Sequence, residues 1–253
     1  MSQNHLTILT GASRGMGLAM AQQLMRSDTT LICIARNTAP ELTAAAQAAG
    51  TQLEQWQQDL SDGESAAQAL RTWLTDQGPG AFASATLINN AGMIPRIAPL
   101  SDSDAADLAT ALRVGLEAPM QLTGAFLGAT DAWTIPRKVL NISSGLGRRA
   151  MASQAAYCAA KAGMDHFTRC VALDEALKPH GAKVCSLAPG VIDTDMQVQL
   201  RGATVEAFPD QQNFANLKTG GQLASPADAA TRVLGWLERA DFGANPVADV
   251  RDA

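Results

Sequence analysis

A parallel, doubly wound α/β sheet flanked by helices is the fold class this chain predicts, and three observations carry it. Short apolar runs bounded by turn residues alternate with helical stretches from end to end. The first run, Leu6-Thr7-Ile8-Leu9-Thr10, passes directly into Gly11-Ala12-Ser13-Arg14-Gly15-Met16-Gly17 and then into the helical stretch Leu18-Ala19-Met20-Ala21-Gln22-Gln23-Leu24-Met25. No linker, repeat or low-complexity segment interrupts the alternation, so residues 1–253 read as one domain. Strand–helix alternation of this kind closes βαβ units into a parallel sheet covered on both faces.

Strands are expected near 6–10, 30–35, 53–57, 86–90, 138–143 and 183–188, with a short last one near 246–250. Pro40 suits a first helical position ahead of Glu41-Leu42-Thr43-Ala44-Ala45-Ala46, and Gly50 suits its stop. Ser225-Pro226 opens the last helix in the same way, from Ala227 to about Ala240. Residues 193–224 have weak periodicity and follow a strand end, the side on which doubly wound folds bind ligands, so they are expected to form a substrate-covering flap.

The strand, glycine turn and helix at the N-terminus offer backbone N–H groups and a positive helix end to a pyrophosphate. The glycines permit a tight turn and close approach of backbone to phosphate. A second chemical signal lies in Ala156-Tyr157-Cys158-Ala159-Ala160-Lys161, which holds the chain's single tyrosine. Four residues apart on a helix, phenol and ammonium share a face. A free phenol has a pKa of roughly 10, and a neighbouring ammonium lowers it towards the useful range. Thirteen residues before Tyr157, Ser144 ends the apolar run Val139-Leu140-Asn141-Ile142-Ser143 and can reach a substrate oxygen. Alone, a Tyr-x-x-x-Lys pair reads as packing beside a surface charge; the glycine turn changes the weighing.

Together these residues resemble the short-chain dehydrogenase/reductase family, whose fold is of the Rossmann type. Further matches are Asp59-Leu60, Leu87-Ile88-Asn89-Asn90-Ala91-Gly92, and Pro189-Gly190 with Ile192 and Thr194. The resemblance implies that Gly11, Ser13, Arg14, Gly15, Met16 and Gly17 bind a nicotinamide cofactor. It extends that site to Arg36, Asn37, Asp59, Leu60, Asn89, Asn90, Ala91 and Gly92, and to Pro189, Gly190, Ile192 and Thr194. It also implies that Ser144, Tyr157 and Lys161 are catalytic, with Tyr157 and Lys161 touching the cofactor as well. Ser143 is the alternative serine, disfavoured by the family's spacing. One departure stands out: Arg113-Val114-Gly115-Leu116 carries Gly115 where the family usually has an asparagine that helps a water chain reach the lysine. Glycine keeps the carbonyl, loses the side chain and tolerates local helix distortion.

Charge argues for the phosphorylated cofactor. Enzymes that use NAD place an acid at the end of the second strand to hold the ribose diol; here that place reads Ile34-Ala35-Arg36-Asn37. Arg36 and Arg14 suit a 2′-phosphate, so NADP(H) is expected. The chain resembles, within the family, the sepiapterin reductase and benzil reductase branch. The stretches that carry this are Leu100-Ser101-Asp102-Ser103, Tyr157-Cys158-Ala159, Asp193-Thr194-Asp195-Met196-Gln197 and Asp241-Phe242-Gly243 with Asp249-Val250-Arg251-Asp252. That branch implies a vicinal dicarbonyl substrate, and in sepiapterin reductases an aspartate near the C-terminus grips the pterin; by spacing it matches Asp249. Solvated tail charge is the other reading of Asp249 and Asp252. Met196, Phe208 and Phe214 could supply an apolar wall.

Composition limits the alternatives. Of 253 residues, 47% are hydrophobic and 17% charged, ordinary for a globular protein. A net charge of −5 with no basic cluster argues against nucleic acid, and no apolar run approaches ~18 residues. Met1-Ser2-Gln3-Asn4-His5 enters a strand without a signal-peptide pattern, and Cys33, Cys158, Cys170 and Cys185 lack metal or redox spacing. Buried, reduced thiols and a cytoplasmic location are expected. Neither these cysteines nor His5, His166 and His180 suggest a metal site, and His166 is read as structural. The Asn141-Ile142-Ser143 sequon falls in a central strand and is not expected to be glycosylated. The family implies a homo-oligomer, dimer or tetramer, acting on a small carbonyl compound. An alcohol-oxidising dehydrogenase and a non-catalytic NADP-binding sensor are the other readings; the sensor need not keep Ser144, Tyr157 and Lys161.

Overall fold

The computed structural model describes residues 4–252, so the Met1-Ser2-Gln3 part of the N-terminal reading lies outside it. Seven strands form one sheet in the order β3-β2-β1-β4-β5-β6-β7, every pair parallel. They are β1 (His5–Thr10), β2 (Thr29–Ala35), β3 (Gln52–Gln57), β4 (Ser84–Asn89), β5 (Arg137–Ile142), β6 (Lys183–Ala188) and β7 (Val247–Asp249). Between them run α1 (Gly15–Gln23), α2 (Pro40–Ala49), α3 (Gly63–Gln77), α4 (Ala105–Leu112), α5 (Ala118–Ala129), α6 (Ala155–Ala176), α7 (Asp195–Gly202), α8 (Gln211–Thr219) and α9 (Pro226–Glu238). The predicted strands are all present. Helix α1 starts inside the glycine turn, earlier than its apolar residues suggest.

Successive strand residues point to opposite faces, and the core divides accordingly. Leu9, Leu31, Cys33 and Leu187 pack with Met20 of α1, Leu42 of α2 and Val233 of α9. Leu6, Ile8, Ile32 and Ile34 pack with Leu70 of α3 and Leu122 and Phe126 of α5. Local signals end the helices as read: Gly50 caps α2 at φ +70°, and the Ser225 hydroxyl accepts from Asp228 N at 3.1 Å to open α9. Among the described residues, no helix is long and apolar enough to cross a membrane.

The segment 193–224 is more regular than its sequence suggests, since α7 and α8 occupy most of it. Each has only eight or nine residues, too few to show a clear helical period. They cohere through an apolar cluster of Leu200, Phe208 and Phe214 with Ile94 and Ile97. Phe208 is wholly buried and its ring lies 5.4 Å from that of Phe214, a pairing that adds ~0.5–1.5 kcal/mol to the area buried. Lys218 and Arg201 both reach Asp193, and Ile192 bridges to Ala224. The flap is thus closed on itself at its two ends. Of the four cysteines, Cys33 and Cys185 are buried, whereas Cys158 is half-buried and Cys170 exposed on the outer stripe of α6. Burial pushes the Cys33 thiol up to about 12 and Cys185 to about 11.

Candidate active site

The sheet reverses its strand order between β1 and β4, and at such a point the carboxyl ends of the strands open a crevice. Two glycines shape its floor. Gly11 has φ +69°, and a Cβ there would lie 2.9 Å from Ala91 Cα. At Gly17 a Cβ would lie 2.0 Å from the Gly11 carbonyl oxygen, so no larger residue fits. The Asn90 amide donates to Thr10 O at 3.0 Å and Gly11 O at 3.3 Å. Thr10 Oγ1 accepts from Asn90 N at 2.9 Å and Ala91 N at 3.0 Å. The glycine turn and the end of β4 are therefore one stitched unit.

Helix α1 begins here with no side-chain cap on its first N–H groups, which leaves them for a pyrophosphate. Gly15 lies opposite Thr194, whose methyl would be 3.8 Å from an added Cβ. Ser13 is half-buried on the turn, and Met16 is buried under α1. Pro189 is buried, and Gly190 turns the chain after β6 at φ +84°. At the adenosine end, Arg36 and Asn37 are exposed beyond β2 while Leu60 is buried. The Asp59 carboxyl accepts from Ser61 N at 2.9 Å and is held below the usual carboxylate range by that bond first and by Arg36 more weakly. This uncapped helix start, glycine cradle and exposed arginine fit a dinucleotide cofactor.

Two expected cofactor residues have their side chains bonded within the protein. Asn89 is 1% exposed and spends its amide on Asn141 Oδ1 at 2.8 Å and Thr123 Oγ1 at 3.1 Å, so it supports β4 from within. Asn141 in turn donates to Thr168 Oγ1 of α6 at 2.9 Å, which explains its inaccessibility as a sequon. Arg14 donates to Asp195 Oδ2 at 2.6 Å, both side chains more than two-thirds exposed. A pair so exposed is worth only ~0–1 kcal/mol and does not hold Arg14 from a stronger anion.

The three candidate catalytic groups meet at the carboxyl end of β5. Lys161 is 4% exposed and donates to Ile142 O at 2.7 Å. Its Nζ stands 5.8 Å from the Tyr157 ring centre, as the i, i+4 spacing on α6 requires. Ser144 caps a short 3₁₀ turn by accepting from Leu146 N at 3.2 Å, and its hydroxyl faces the Tyr157 phenol. Ser143, the alternative, donates instead to the buried Asp165 at 2.6 Å. Gly92 of the β4 turn adjoins both Lys161 and Met196: an added Cβ would lie 3.8 Å from Lys161 Nζ and 3.9 Å from Met196 Cε.

The electrostatics correct one expectation. Lys161 was expected to lower the phenol's pKa, but burial dominates and raises the Tyr157 pKa, the Ser144 hydroxyl opposing it. Burial also lowers Lys161, to about 8, with Asp165 opposing. Desolvation penalises each charged form more than the partner rewards it.

Asp249 ends β7, two strands from β5, and is 5% exposed. It binds Arg251 through both carboxylate oxygens, at 2.7 and 2.6 Å, and these bonds hold its carboxyl below the usual range. It is therefore no solvated tail charge. Phe208 and Phe214 lie inside the flap, and Met196 and Met151 border the same cluster beside Tyr157.

Gly115 sits in a π turn, Arg113–Glu117, between α4 and α5. The tolerance of distortion read from glycine is thus used, since the backbone widens there. A Cβ would lie 3.2 Å from Ala160 Cβ, next to Lys161. Gly115→Asn is expected to lower stability by ~1–3 kcal/mol through overpacking, read as a lower thermal midpoint. Turnover and pH profile unchanged in that variant would make the position one of packing alone.

A dinucleotide crevice joined to a serine, a tyrosine and a lysine defines an oxidoreductase of the nicotinamide-dependent type. The family model described as short chain dehydrogenase matches residues 5–204, and the chain belongs to that family. It is 36% identical over 235 residues to a protein of Bacillus cereus called benzil reductase ((S)-benzoin forming), covering 93% of this chain and 94% of that one. It is 29% identical over 256 residues to sepiapterin reductase of Meriones unguiculatus, covering 97% and 95%. A crystal structure of a metagenomic short-chain oxidoreductase in complex with NADP superimposes with a TM-score of 0.72 at 26% identity, over 98% of this chain and 96% of that one.

Proposed function

We propose that this chain is an NADPH-dependent carbonyl reductase that reduces one carbonyl of a vicinal dicarbonyl, with residues 1–253 acting as one catalytic domain. The observation that carries the reading is the meeting of Ser144, Tyr157 and Lys161 beside the crevice, under an apolar flap. NADPH, when bound, supplies the hydride. Ser144 donates to the substrate oxygen and orients it; Tyr157 gives that oxygen its proton as negative charge develops. A phenol whose pKa is raised by burial keeps its proton at neutral pH, which suits reduction over alcohol oxidation. The Lys161 ammonium stabilises the phenolate left behind and would hold the nicotinamide ribose hydroxyls. Because Lys161 falls to about 8, turnover should decline as pH rises through that value.

The cofactor turn would hold the pyrophosphate at the start of α1. Arg36, with Arg14 released from Asp195, would hold the 2′-phosphate. Replacing Arg36 with Ala should raise KM for NADPH about tenfold or more, the loss of one charge-assisted bond of ~1.5–3 kcal/mol. KM for NADH should move less than about twofold on the same principle. Equal effects on the two cofactors would remove Arg36 from the 2′-phosphate.

Met196 presents apolar surface towards an aromatic dicarbonyl, with Phe208 and Phe214 backing it. The resemblance to benzil reductase over nearly the whole chain favours that substrate class. NADPH oxidation with benzil and with sepiapterin, in the natural chain and in Asp249→Asn, tests the reading. Benzil turnover insensitive to Asp249→Asn is expected, and a pterin role for Asp249 requires sepiapterin turnover that the variant loses. If both dicarbonyls are inert while simple ketones are reduced, only a general carbonyl reductase remains. Exposed Leu112 and Met120, on α4 and α5, favour a homo-oligomer, and the cytoplasm is the proposed location.

A further inference from the structure

Asp165 lies one helical turn past Lys161 on α6 and is 2% exposed. Nothing in the proton chemistry above uses it. Its bonds nevertheless gather three other segments. Ser143 Oγ donates to Oδ1 at 2.6 Å from the end of β5. Ser186 Oγ donates to the same oxygen at 2.6 Å from β6. Arg148 Nε donates to Oδ2 at 3.1 Å from the turn that follows Ser144, and its other end donates to Ala248 O of β7 at 2.9 Å. The turn is pressed tightly on the carboxylate: a Cβ on Gly147 would lie 2.9 Å from Asp165 Oδ2 and 2.9 Å from Lys161 O.

A buried carboxylate is costly to desolvate, and an apolar residue usually fills such a site without loss of stability. Here the charge is bonded to Ser143, the chain neighbour of one catalytic group, and stands one helical turn from another, Lys161. We propose that Asp165 is a positioning residue for the reaction: its carboxylate locks the 143–148 segment, which presents Ser144, against the helix that presents Tyr157 and Lys161. The proposal rests on the reading of those three residues given above. Misplacing reacting groups by about 1 Å can cost ~100-fold in rate, so a clamp between two catalytic segments has a purpose that simple packing lacks.

Its charge acts on the same centre. Lys161 faces Tyr157, Met164 and Asp165 on its own helix, the Ile142 carbonyl of β5, and Gly92 from the β4 turn. Asp165 is the negative charge in that set and favours the ammonium. Arg148 is the cation that faces Asp165 from the other side, and the Cys185 thiol of β6, beside both, is pushed up to about 11 and stays neutral.

Two variants with opposite expected signs test this. Asp165→Asn keeps the shape and its Oδ1 still accepts from both serines, but it loses the charge and the bond from Arg148 Nε. Its kcat should fall ~10–100-fold with KM for NADPH and substrate within about threefold, and the alkaline limb of kcat should move about one unit lower. Arg148→Gln, altered at the more exposed end of the pair, leaves the carboxylate less compensated, so its alkaline limb should move higher. NADPH affinity followed by fluorescence over the same pH range reads the Lys161 charge without turnover and should shift with the same two signs. Limbs unmoved in both variants overturn the proposal, as does loss of kcat matched by equal loss of cofactor affinity and thermal midpoint. If Asp165→Asn does not fold, Arg148→Gln decides alone: an upward limb supports the proposal and an unmoved one overturns it. Tyr157→Phe belongs in the same assay. Retained activity there removes the acid assigned above, whereas an inactive Tyr157→Phe beside a natural Asp165→Asn profile removes this inference only.

Discussion

Tyr157→Phe should leave the fold and NADPH affinity intact and lower kcat by about 10²–10⁴, the usual contribution of a placed proton donor. The ring stays, so its packing against the flap cluster of Ile94, Ile97, Leu200, Phe208 and Phe214 is preserved. Only the hydroxyl that faces Ser144 is lost. KM for the carbonyl compound should change little, because Ser144 still binds its oxygen. Stopped-flow comparison of NADPH binding and single-turnover reduction separates the two effects. A variant that retains more than about a tenth of the natural turnover removes Tyr157 as the acid, since that loss is far below the expected range.

The second large effect is expected at Gly17. Alanine there would put a methyl carbon 2.0 Å from the Gly11 carbonyl and 2.6 Å from the Asn90 amide nitrogen. The first of these is backbone and cannot swing away. The glycine turn must open, and with it the stitched contact between β1 and β4. NADPH affinity should fall by at least ~100-fold, or the chain should fail to fold, in keeping with overpacking costs of ~1–3 kcal/mol or more added to the lost phosphate contacts. Fluorescence titration of NADPH, with circular dichroism as the check on folding, measures both. Gly124→Ala, with nothing within 4 Å of the added carbon on α5, is the control and should be neutral or slightly stabilising. Natural NADPH affinity in Gly17→Ala would mean that the turn does not form the cofactor floor.

Local rules made much of the molecule readable in advance. Strand positions follow from short apolar runs, and Pro40, Gly50 and Ser225 mark helix ends by backbone geometry that depends on the residue itself. The glycine turn and the Tyr157–Lys161 pair were legible because their spacing has one structural meaning, a tight turn in the first case and a shared helix face in the second. Even the π turn at Gly115 had a local cue in an unusual glycine.

Other properties exist only once distant segments meet. Asp165 carries no motif, yet Ser143, Ser186 and Arg148 make it a junction of three elements. Asn89 and Asn90 are neighbours in one turn, and only strand packing sends the first into the core and leaves the second to tie the glycine turn. The pairing of Arg14 with Asp195 depends on the flap folding back across the chain. Two flap helices too short to show a period are held by Phe208, from the turn between them, meeting Phe214 of α8. The Tyr157 and Lys161 pKa values follow the same division. Their sequence spacing determined that phenol and ammonium share a face; burial under the flap and against β5 decided which way each titrates. Sequence fixes the order of turns, helices and strands because those preferences are local. Desolvation and long-range hydrogen bonding are sums over neighbours brought together from the whole chain, and only the tertiary structure supplies those neighbours.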